Sequence, residues 1–379
     1  MRTDGQAGAI LLAGGKGSRL FELTARTCKP AVPLGADTLI VDWTLSNLRR
    51  SRIFDITAAT QYMPARLEAY LEAQSATCFN GRLRVANGVS MTGRPTGYHG
   101  TADAVRHVLG QDTGREDDPL LIVAADHVYE MDYRPMIAAH RNSGAGITVA
   151  CTILPAAEAR SCGVVAADAS GKVEAFVEKP ATPPEAADQP GRCLVSMGIY
   201  VCDRAWLRAA LARGGDDFGY DILPAAVARG EAYAYRAVTS DGAQIYWRDV
   251  GTLDVYRAAA VDLALNPWRC PQPMHALGRP ASAEVRHWAR RGSVVLPGAT
   301  VEPGADLHNV IVAPGAHVPS RLEIGHCPDK DRRWFRVTPG GTTLVTAAML
   351  ERRLAETPEK RSYTTRVAGA EREASSLGT

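Results

Sequence analysis

A chain of 379 residues, 46% of them hydrophobic, has enough apolar material for one large α/β domain and a smaller appendage. Its net charge of +2 gives no global pull towards nucleic acid or an acidic partner, so local clusters of charge are more telling than the sum. Eight cysteines form no C-x-x-C pair, which argues against zinc. The polar residues 1–7 and the absence of any apolar run near about 20 residues argue against a signal peptide and a membrane span, and a cytoplasmic protein is expected.

The first element is Ala9 to Ala13, an apolar run that stops at Gly14-Gly15, as a buried parallel strand stops at a loop. Gly14, Gly15 and Gly17 leave backbone N–H groups able to close around an anion, and Lys16, Arg19 and Lys29 bring positive charge to the same place. Together they read as a polyphosphate site. Lys16 precedes Gly17, so this is not a Walker loop, and Leu20 stands where a dinucleotide fingerprint has its third glycine. For the glycines alone, a plain strand-to-helix turn is the alternative.

Residues 36–60 read as helix then strand, Pro64 opens a second helix, and a strand from Leu83 to Ala86 ends at Asn87-Gly88. Thr92 to Gly97 is a glycine- and proline-rich loop leading to Tyr98-His99-Gly100-Thr101, where Thr101 is expected to cap a helix from Ala102 to Leu109. A flexible loop before a helix N-terminus suits the covering of a nucleotide, although a plain surface loop has the same signature. Pro119 to Ala125 is a fully apolar strand followed at once by Asp126. A carboxylate at the end of a buried parallel strand is a natural Mg²⁺ ligand, or else the cap of the next helix.

Gly146 to Ile153 and Gly163 to Ala167 read as strands, and Asp168 to Gly171 as a hairpin turn into Lys172 to Glu178. Glu178 and Lys179 are expected on opposite faces of that strand end. There a lysine can hold a monophosphate and a glutamate can accept sugar hydroxyls, while an exposed charge pair is the plainer reading. A strand from Cys193 to Cys202 contains Ser196, a helix follows from Arg204 to Ala212, and Asp217 opens another. Thr252 is expected to cap a helix that runs to Leu265. Beyond it, three Pro-Gly-Ala repeats between 296 and 318 are hexapeptide-type repeats of a left-handed parallel β-helix. The expected divisions are a large α/β domain over 1–267, a linker over 268–292, a short β-helix over 293–356 and a disordered tail over 357–379.

The run Gly-Gly-x-Gly-x-Arg-Leu at 14–20, followed by Lys-Pro-x-x-Pro-Leu-Gly at 29–35, resembles the signature of the sugar-1-phosphate nucleotidylyltransferases, and among them the bacterial glucose-1-phosphate adenylyltransferases. The likeness recurs in order along 8–265 and again near 317–350. It implies an α/β fold with a Rossmann-like, mostly parallel mixed sheet and a short C-terminal left-handed parallel β-helix. It also implies a reaction of a nucleoside triphosphate with a sugar 1-phosphate that releases pyrophosphate and needs Mg²⁺. Carried onto this chain, it makes Arg19, Lys29, Asp126 and Lys179 catalytic, with Arg19 and Lys29 on the leaving pyrophosphate. Gly14, Gly15, Gly17, Tyr98, Gly100 and Thr101 take the nucleotide. Glu178, Lys179 and Ser196 take the sugar phosphate, and Asp126 and Asp249 the metal.

Two departures bear on the substrate. Val89-Ser90 stand where the adenylyltransferases carry glutamines, on the strand before the loop, and Gly97 and His99 replace the usual neighbours of Tyr98. The relative they suggest is a valienol-1-phosphate guanylyltransferase of aminocyclitol antibiotic pathways, using GTP and a cyclitol 1-phosphate. A non-catalytic regulatory subunit is the other alternative. The β-helix is shorter than the family's, and a short solenoid needs neighbours, so a homo-oligomer with no nucleic-acid or membrane partner is expected.

Overall fold

The computed structural model describes residues 7–35, 38–186, 188–239, 241–266 and 282–356. By packing, the described residues up to Val255 form one compact unit, and Tyr256–Asn266 with those from 282 on form a second. The division between Val255 and Tyr256 falls inside a helix.

In chain order the first unit runs β1 (Gly8–Ala13), α1 (Val41–Arg50), β2 (Ile56–Thr60), α2 (Ala65–Cys78), β3 (Leu83–Asn87), α3 (Gly88–Thr92), α4 (Thr101–Gly110) and β4 (Pro119–Ala124). There follow β5 (Val128–Tyr129), α5 (Arg134–Ser143), β6 (Ile147–Pro155), α6 (Ala156–Ala159), β7 (Gly163–Ala167), β8 (Val173–Glu178) and β9 (Arg192–Asp203). Then come α7 (Arg204–Ala212), α8 (Leu223–Ala228), β10 (Ala232–Arg236), β11 (Trp247–Arg248) and α9 (Leu253–Leu265), which crosses the division.

A nine-stranded sheet has the order β10-β6-β9-β4-β1-β2-β3, with β7 added to β9 and β8 to β7. The neighbours β4-β1-β2-β3 are parallel, as are β10 and β6, and β9 runs against both β4 and β6. Alternation along the strands feeds two cores. Leu11 and Ala13 join Leu121, Val123 and the α1 residues Val41, Leu45 and Leu48, while Ile10 joins Leu120, Ile122 and the α4 residues Val105 and Val108. Burial on both faces is why these strands read as unbroken apolar runs. The parallel strands β1, β2 and β4 all end on one edge, where an open α/β sheet takes its ligands.

Local hydrogen bonding overrides several expectations. The Asn87 side chain accepts from the N–H groups of Val89 and Ser90 and starts α3, so these two residues lie in a short helix and not on the strand. Gly100, not Thr101, is the N-cap of α4. Thr252 does cap α9, accepting from the Val255 N–H at 3.3 Å. The second half of the expected linker is a helix, α10 (Ala283–Arg290), capped by Ser282. Residues 268–281 and the expected tail 357–379 lie outside the described residues, as does Cys270. Cys28, Cys151, Cys193 and Cys202 are buried free thiols that pack as small apolar side chains.

The second unit continues after α10 with β12 (Val294–Val295), β13 (Thr300–Val301), β14 (Asp306–Leu307), β15 (Val310–Val312), β16 (His317–Val318) and β17 (Glu323–Ile324). It ends with α11 (Pro328–Asp331), β18 (Arg336–Val337), β19 (Thr343–Val345) and α12 (Ala347–Glu356). Parallel pairing of β12 with β15, β13 with β16 and β14 with β17 stacks two coils with three faces, and β19 continues the first face. Leu307, Val310, Val312, Val318 and Ile324 fill the interior. Arg257 of α9 belongs to this unit, donating to Thr342 Oγ1 at 2.9 Å and to the Gly292 carbonyl at 2.8 Å.

Candidate active site

The glycine loop after β1 is folded around a lysine. Gly17 has φ +65°, and a Cβ there would come 2.7 Å from Lys29 Cβ, so a side chain is excluded twice over. Its carbonyl accepts from Thr24 Oγ1 at 2.9 Å, and the Lys29 N–H donates to the Gly15 carbonyl at 3.4 Å. The Lys29 side chain is 4% exposed, and its ammonium lies 3.1 Å from Asp126 Oδ2 and 2.9 Å from Asp249 Oδ1.

Two elements bring those acids together. Asp126 follows β4 directly. The two-residue strands β5 and β11 pair antiparallel, Trp247 with Tyr129 and Arg248 with Val128, and so return Asp249 to the side of Asp126. Asn47 of α1 holds this ribbon, donating to the Tyr129 carbonyl at 3.0 Å and accepting from the Met131 N–H at 3.2 Å. Arg19 reaches within 3.9 Å of Asp249 Oδ2, over Gly251, where a Cβ would come 2.6 Å from Arg19 Nη2. His127 Nε2 lies 3.7 Å from Oδ1 of both aspartates.

The charges lock one another. Burial works against the Asp249 carboxylate, but Lys29, His127 and Arg19 outweigh it and hold its pKa down at about 2. Asp126 is also lowered: burial opposes its charge, Lys29 and His127 favour it, and Asp249 partly counters them. Burial opposes the Lys29 ammonium too, and the two carboxylates more than offset it, so its pKa is raised.

Beside this cluster is a cavity of about 320 Å³ with Gly14, Gly15 and Asp126 on one side and Tyr98, His99, Gly100 and Thr101 on the other. Gln61, just past β2, closes it. Its amide donates to the Tyr98 carbonyl at 3.0 Å and accepts from the Tyr98 N–H at 2.7 Å. The Tyr98 hydroxyl donates to the Ala86 carbonyl at 3.0 Å. The buried Asp103 ties down the same loop, accepting from the His99 N–H at 2.9 Å and pairing with Arg94 and Arg106.

The residues expected on the sugar side form a neighbouring group. Lys179 has φ +49°, which turns its side chain back, and its ammonium lies 2.6 Å from Glu178 Oε1. The two residues therefore meet and do not occupy opposite faces. Lys179 also lies 5.7 Å from the Tyr220 ring centroid. Tyr220 belongs to a π-helical turn, Phe218–Ile222, in which Phe218 stacks on Tyr200 of β9 at 5.2 Å. Such turns gather at functional sites. Ser196, on the same strand as Tyr200, is buried and accepts from the Gly198 N–H at 3.2 Å. Asp217 caps the turn through Oδ1 and accepts from Thr101 Oγ1 at 3.1 Å through Oδ2, while Thr101 accepts from the Phe218 N–H at 2.9 Å. That is where the expected cap hydroxyl goes.

Of the residues singled out from sequence, Gly14, Gly15, Tyr98, Gly100, Thr101 and Asp126 line the cavity, and Arg19, Lys29 and Asp249 join Asp126 beside it. Gly17 supports Lys29 from behind. Glu178, Lys179 and Ser196 gather around β9 and the π-turn, and Val89 and Ser90 do not line the cavity. Sequence reading missed Gln61, His127 and Asp217. Gln61 carries the same signal as Asp126, a polar residue just past a buried parallel strand.

Two carboxylates are hard oxygen donors of the kind Mg²⁺ takes, and each keeps one oxygen off Lys29: Asp126 Oδ1 and Asp249 Oδ2. Among the described residues no group of three His, Cys, Asp or Glu is arranged to enclose a metal. That donor count suits a cation whose other ligands are phosphates and water. Among the described residues, no helix is long and apolar enough to cross a membrane.

Comparison with known proteins gives two family matches. Residues 8–265 match the family described as nucleotidyl transferase, and residues 281–345 match a GlmU-like, C-terminal hexapeptide family, consistent with a left-handed β-helix for the stacked coils. The glucose-1-phosphate adenylyltransferase of Jannaschia sp. (strain CCS1) is 36% identical over 403 residues, covering 91% of this chain and 96% of the relative. That of Cereibacter sphaeroides (strain ATCC 17025) is 35% identical over 413 residues, covering 93% and 97%. The Bradyrhizobium diazoefficiens protein of the same name is 34% identical over 413 residues, covering 92% and 97%. These names do not favour the guanylyltransferase or regulatory-subunit alternatives.

Proposed function

The chain belongs to the nucleotidyl transferase family, as a sugar-1-phosphate nucleotidyltransferase of the glucose-1-phosphate adenylyltransferase kind, and from that premise we propose that it joins ATP to glucose 1-phosphate, forming ADP-glucose and pyrophosphate. The observation that carries the proposal is the Lys29-bridged pair Asp126 and Asp249 beside a cavity walled by the glycine loop.

In this reading an oxygen of the sugar phosphate attacks the α-phosphorus in line, and the bond from that phosphorus to the bridging oxygen breaks as pyrophosphate leaves. No covalent intermediate with the protein is needed, so the chain supplies position and charge. Gly14 and Gly15 offer backbone N–H groups to the nucleotide phosphates, and Tyr98, Gly100 and Thr101 wall the nucleotide. Arg19, with its side chain 56% exposed, has the reach to meet the leaving pyrophosphate. Lys29 keeps the two carboxylates ionised and in place. Lys179 orients the attacking phosphate and Glu178 the sugar hydroxyls, with Ser196 on the same side. Asp126 and Asp249 would hold Mg²⁺, which when bound withdraws charge from the α-phosphate. A cytoplasmic homo-oligomer is part of the proposal, because a β-helix of so few coils buries little surface by itself.

The test is pyrophosphate release with Mg²⁺, crossing ATP, GTP, UTP and dTTP with glucose 1-phosphate and valienol 1-phosphate. Release led by ATP with glucose 1-phosphate supports the reading. Release led by GTP with the cyclitol, or none in any combination, overturns it.

A further inference from the structure

We propose that His127 is a positioning residue that ties the acceptor-side strand β9 to the two acids. The imidazole touches three elements that each carry a residue of the site. Its Nδ1–H donates to the Met197 carbonyl of β9 at 3.1 Å, next to Ser196. A carbonyl only accepts, so Nδ1 carries a proton in this bond, and Nε2 is turned the other way. Nε2 then stands 3.7 Å from Asp126 Oδ1 and 3.7 Å from Asp249 Oδ1. The Trp247 ring of β11 packs edge-on against the imidazole at 5.3 Å. The side chain is 15% exposed, so the ring is held in one orientation.

β9 is shaped to admit it. Gly198 has φ +68°, and a Cβ there would come 3.3 Å from His127 Cε1. The strand turns at the residue where the ring needs room. Opposite it, the pairing of β6 with β9 shifts register between Val149 and Cys151. Bulges of this kind re-aim side chains beside functional sites. A ring that bonds to β9 and faces both carboxylates cannot shift without moving all three.

The inference rests on the proposed reaction for its acceptor and its cation, but its test does not depend on turnover alone. Mn²⁺ serves as the cation probe, its free concentration read by electron paramagnetic resonance on the full chain. Acceptor binding is read as the KM for glucose 1-phosphate, separately from kcat. An outer partner of metal-binding carboxylates typically contributes about 10–100-fold in affinity. His127→Ala is therefore expected to weaken Mn²⁺ by at least about ten-fold and to raise the acceptor KM by a similar factor.

Two conservative variants separate the ring's two ends. His127→Asn puts an amide donor where Nδ1 was and is expected to restore the acceptor KM but not Mn²⁺ affinity. His127→Gln puts an amide near the Nε2 position and is expected to do the reverse. If His127→Ala does not fold, this pair still decides. Asn and Gln variants indistinguishable from each other in both readouts overturn the proposal, as does a folded alanine variant with both unchanged. A wild-type protein that binds Mn²⁺ but turns over no tested pair overturns the proposed reaction instead, and the Mn²⁺ comparison still reads the role of the ring.

Discussion

Replacing Lys29 with Met keeps the aliphatic stem and removes only the charge that holds Asp126 and Asp249 together. Breaking a buried ion pair by deleting one partner costs about 3–5 kcal/mol. The carboxylates here are 28% and 22% exposed, so solvent screening favours the low end, about 3 kcal/mol. The net shift of Asp249, held at about 2 against its ordinary 3.8 by Lys29, His127 and Arg19 together and against burial, corresponds to about 2 kcal/mol, the same order. The sign follows from the direction of each shift. Both acids' pKa values are lowered, so their stabilisation is present above about pH 4 and is lost on acidification, for Asp249 as pH falls through about 2. The Lys29 pKa is raised, so its stabilisation is present through neutral pH and is lost only well into the alkaline range. Without the ammonium the two acids repel, their pKa values rise, and protonation relieves the strain on acidification. The variant should therefore melt about 6–10 °C below wild type at pH 7.5 in tryptophan fluorescence, and the gap should narrow by at least half at pH 4.5. An equal gap at both pH values would mean that lost packing, not lost charge compensation, is responsible, and the argument would fail.

Asp126→Ala should lower turnover by about 10²–10³-fold while the circular dichroism spectrum at 25 °C stays that of the wild type, and retained turnover would end the proposed mechanism. Gln61→Ala removes both hydrogen bonds to the Tyr98 backbone, a loss of about 2–3 kcal/mol. The ATP KM should rise by about 30–100-fold, and an unchanged KM would show that Gln61 does not set that wall. Gly17→Ala forces a side chain onto Lys29 at positive φ, so a loss of about 1–3 kcal/mol is expected by thermal melting, with reduced kcat. A wild-type melting curve would show that the loop relaxes freely.

The strands of the first unit were legible because both faces of the sheet are covered, which makes β1 and β4 continuous apolar runs with an abrupt polar end. That same end gave Gly14, Gly15 and Asp126. The β-helix was legible from its Pro-Gly-Ala turns. What sequence could not give was side-chain competition for backbone groups. Asn87 looked like the end of a strand, yet its carbonyl oxygen captures two N–H groups and turns Val89 and Ser90 into a helix. Thr101 looked like a cap, yet Asp217, far along the chain, offers its hydroxyl a charged acceptor. The pairing of β5 with β11 rests on two residues in each strand, too short for any periodicity to announce it. Lys179 turns back on Glu178 because the strand ends in left-handed backbone, a conformation that alternation along the strand does not foresee.

Lys29 and Arg19 entered as equivalent cations for one anion, and their surroundings divide them. An ammonium that is 4% exposed and within ion-pair distance of two carboxylates already has its charge matched, and moving it to a phosphate would take from both acids their nearest counter-charge. A guanidinium that is 56% exposed and 3.9 Å from the nearer acid loses little by turning to a new anion, and its planar fork suits a phosphate. A leaving pyrophosphate gains charge during the reaction, so it is better met by the cation that is still free to respond. The acids, in turn, need a counter-charge that does not leave when product does. One fixed and one adaptable cation meet both needs, which gives the glycine loop a second task besides cradling phosphate: Gly17 and Gly15 hold the fixed lysine in place.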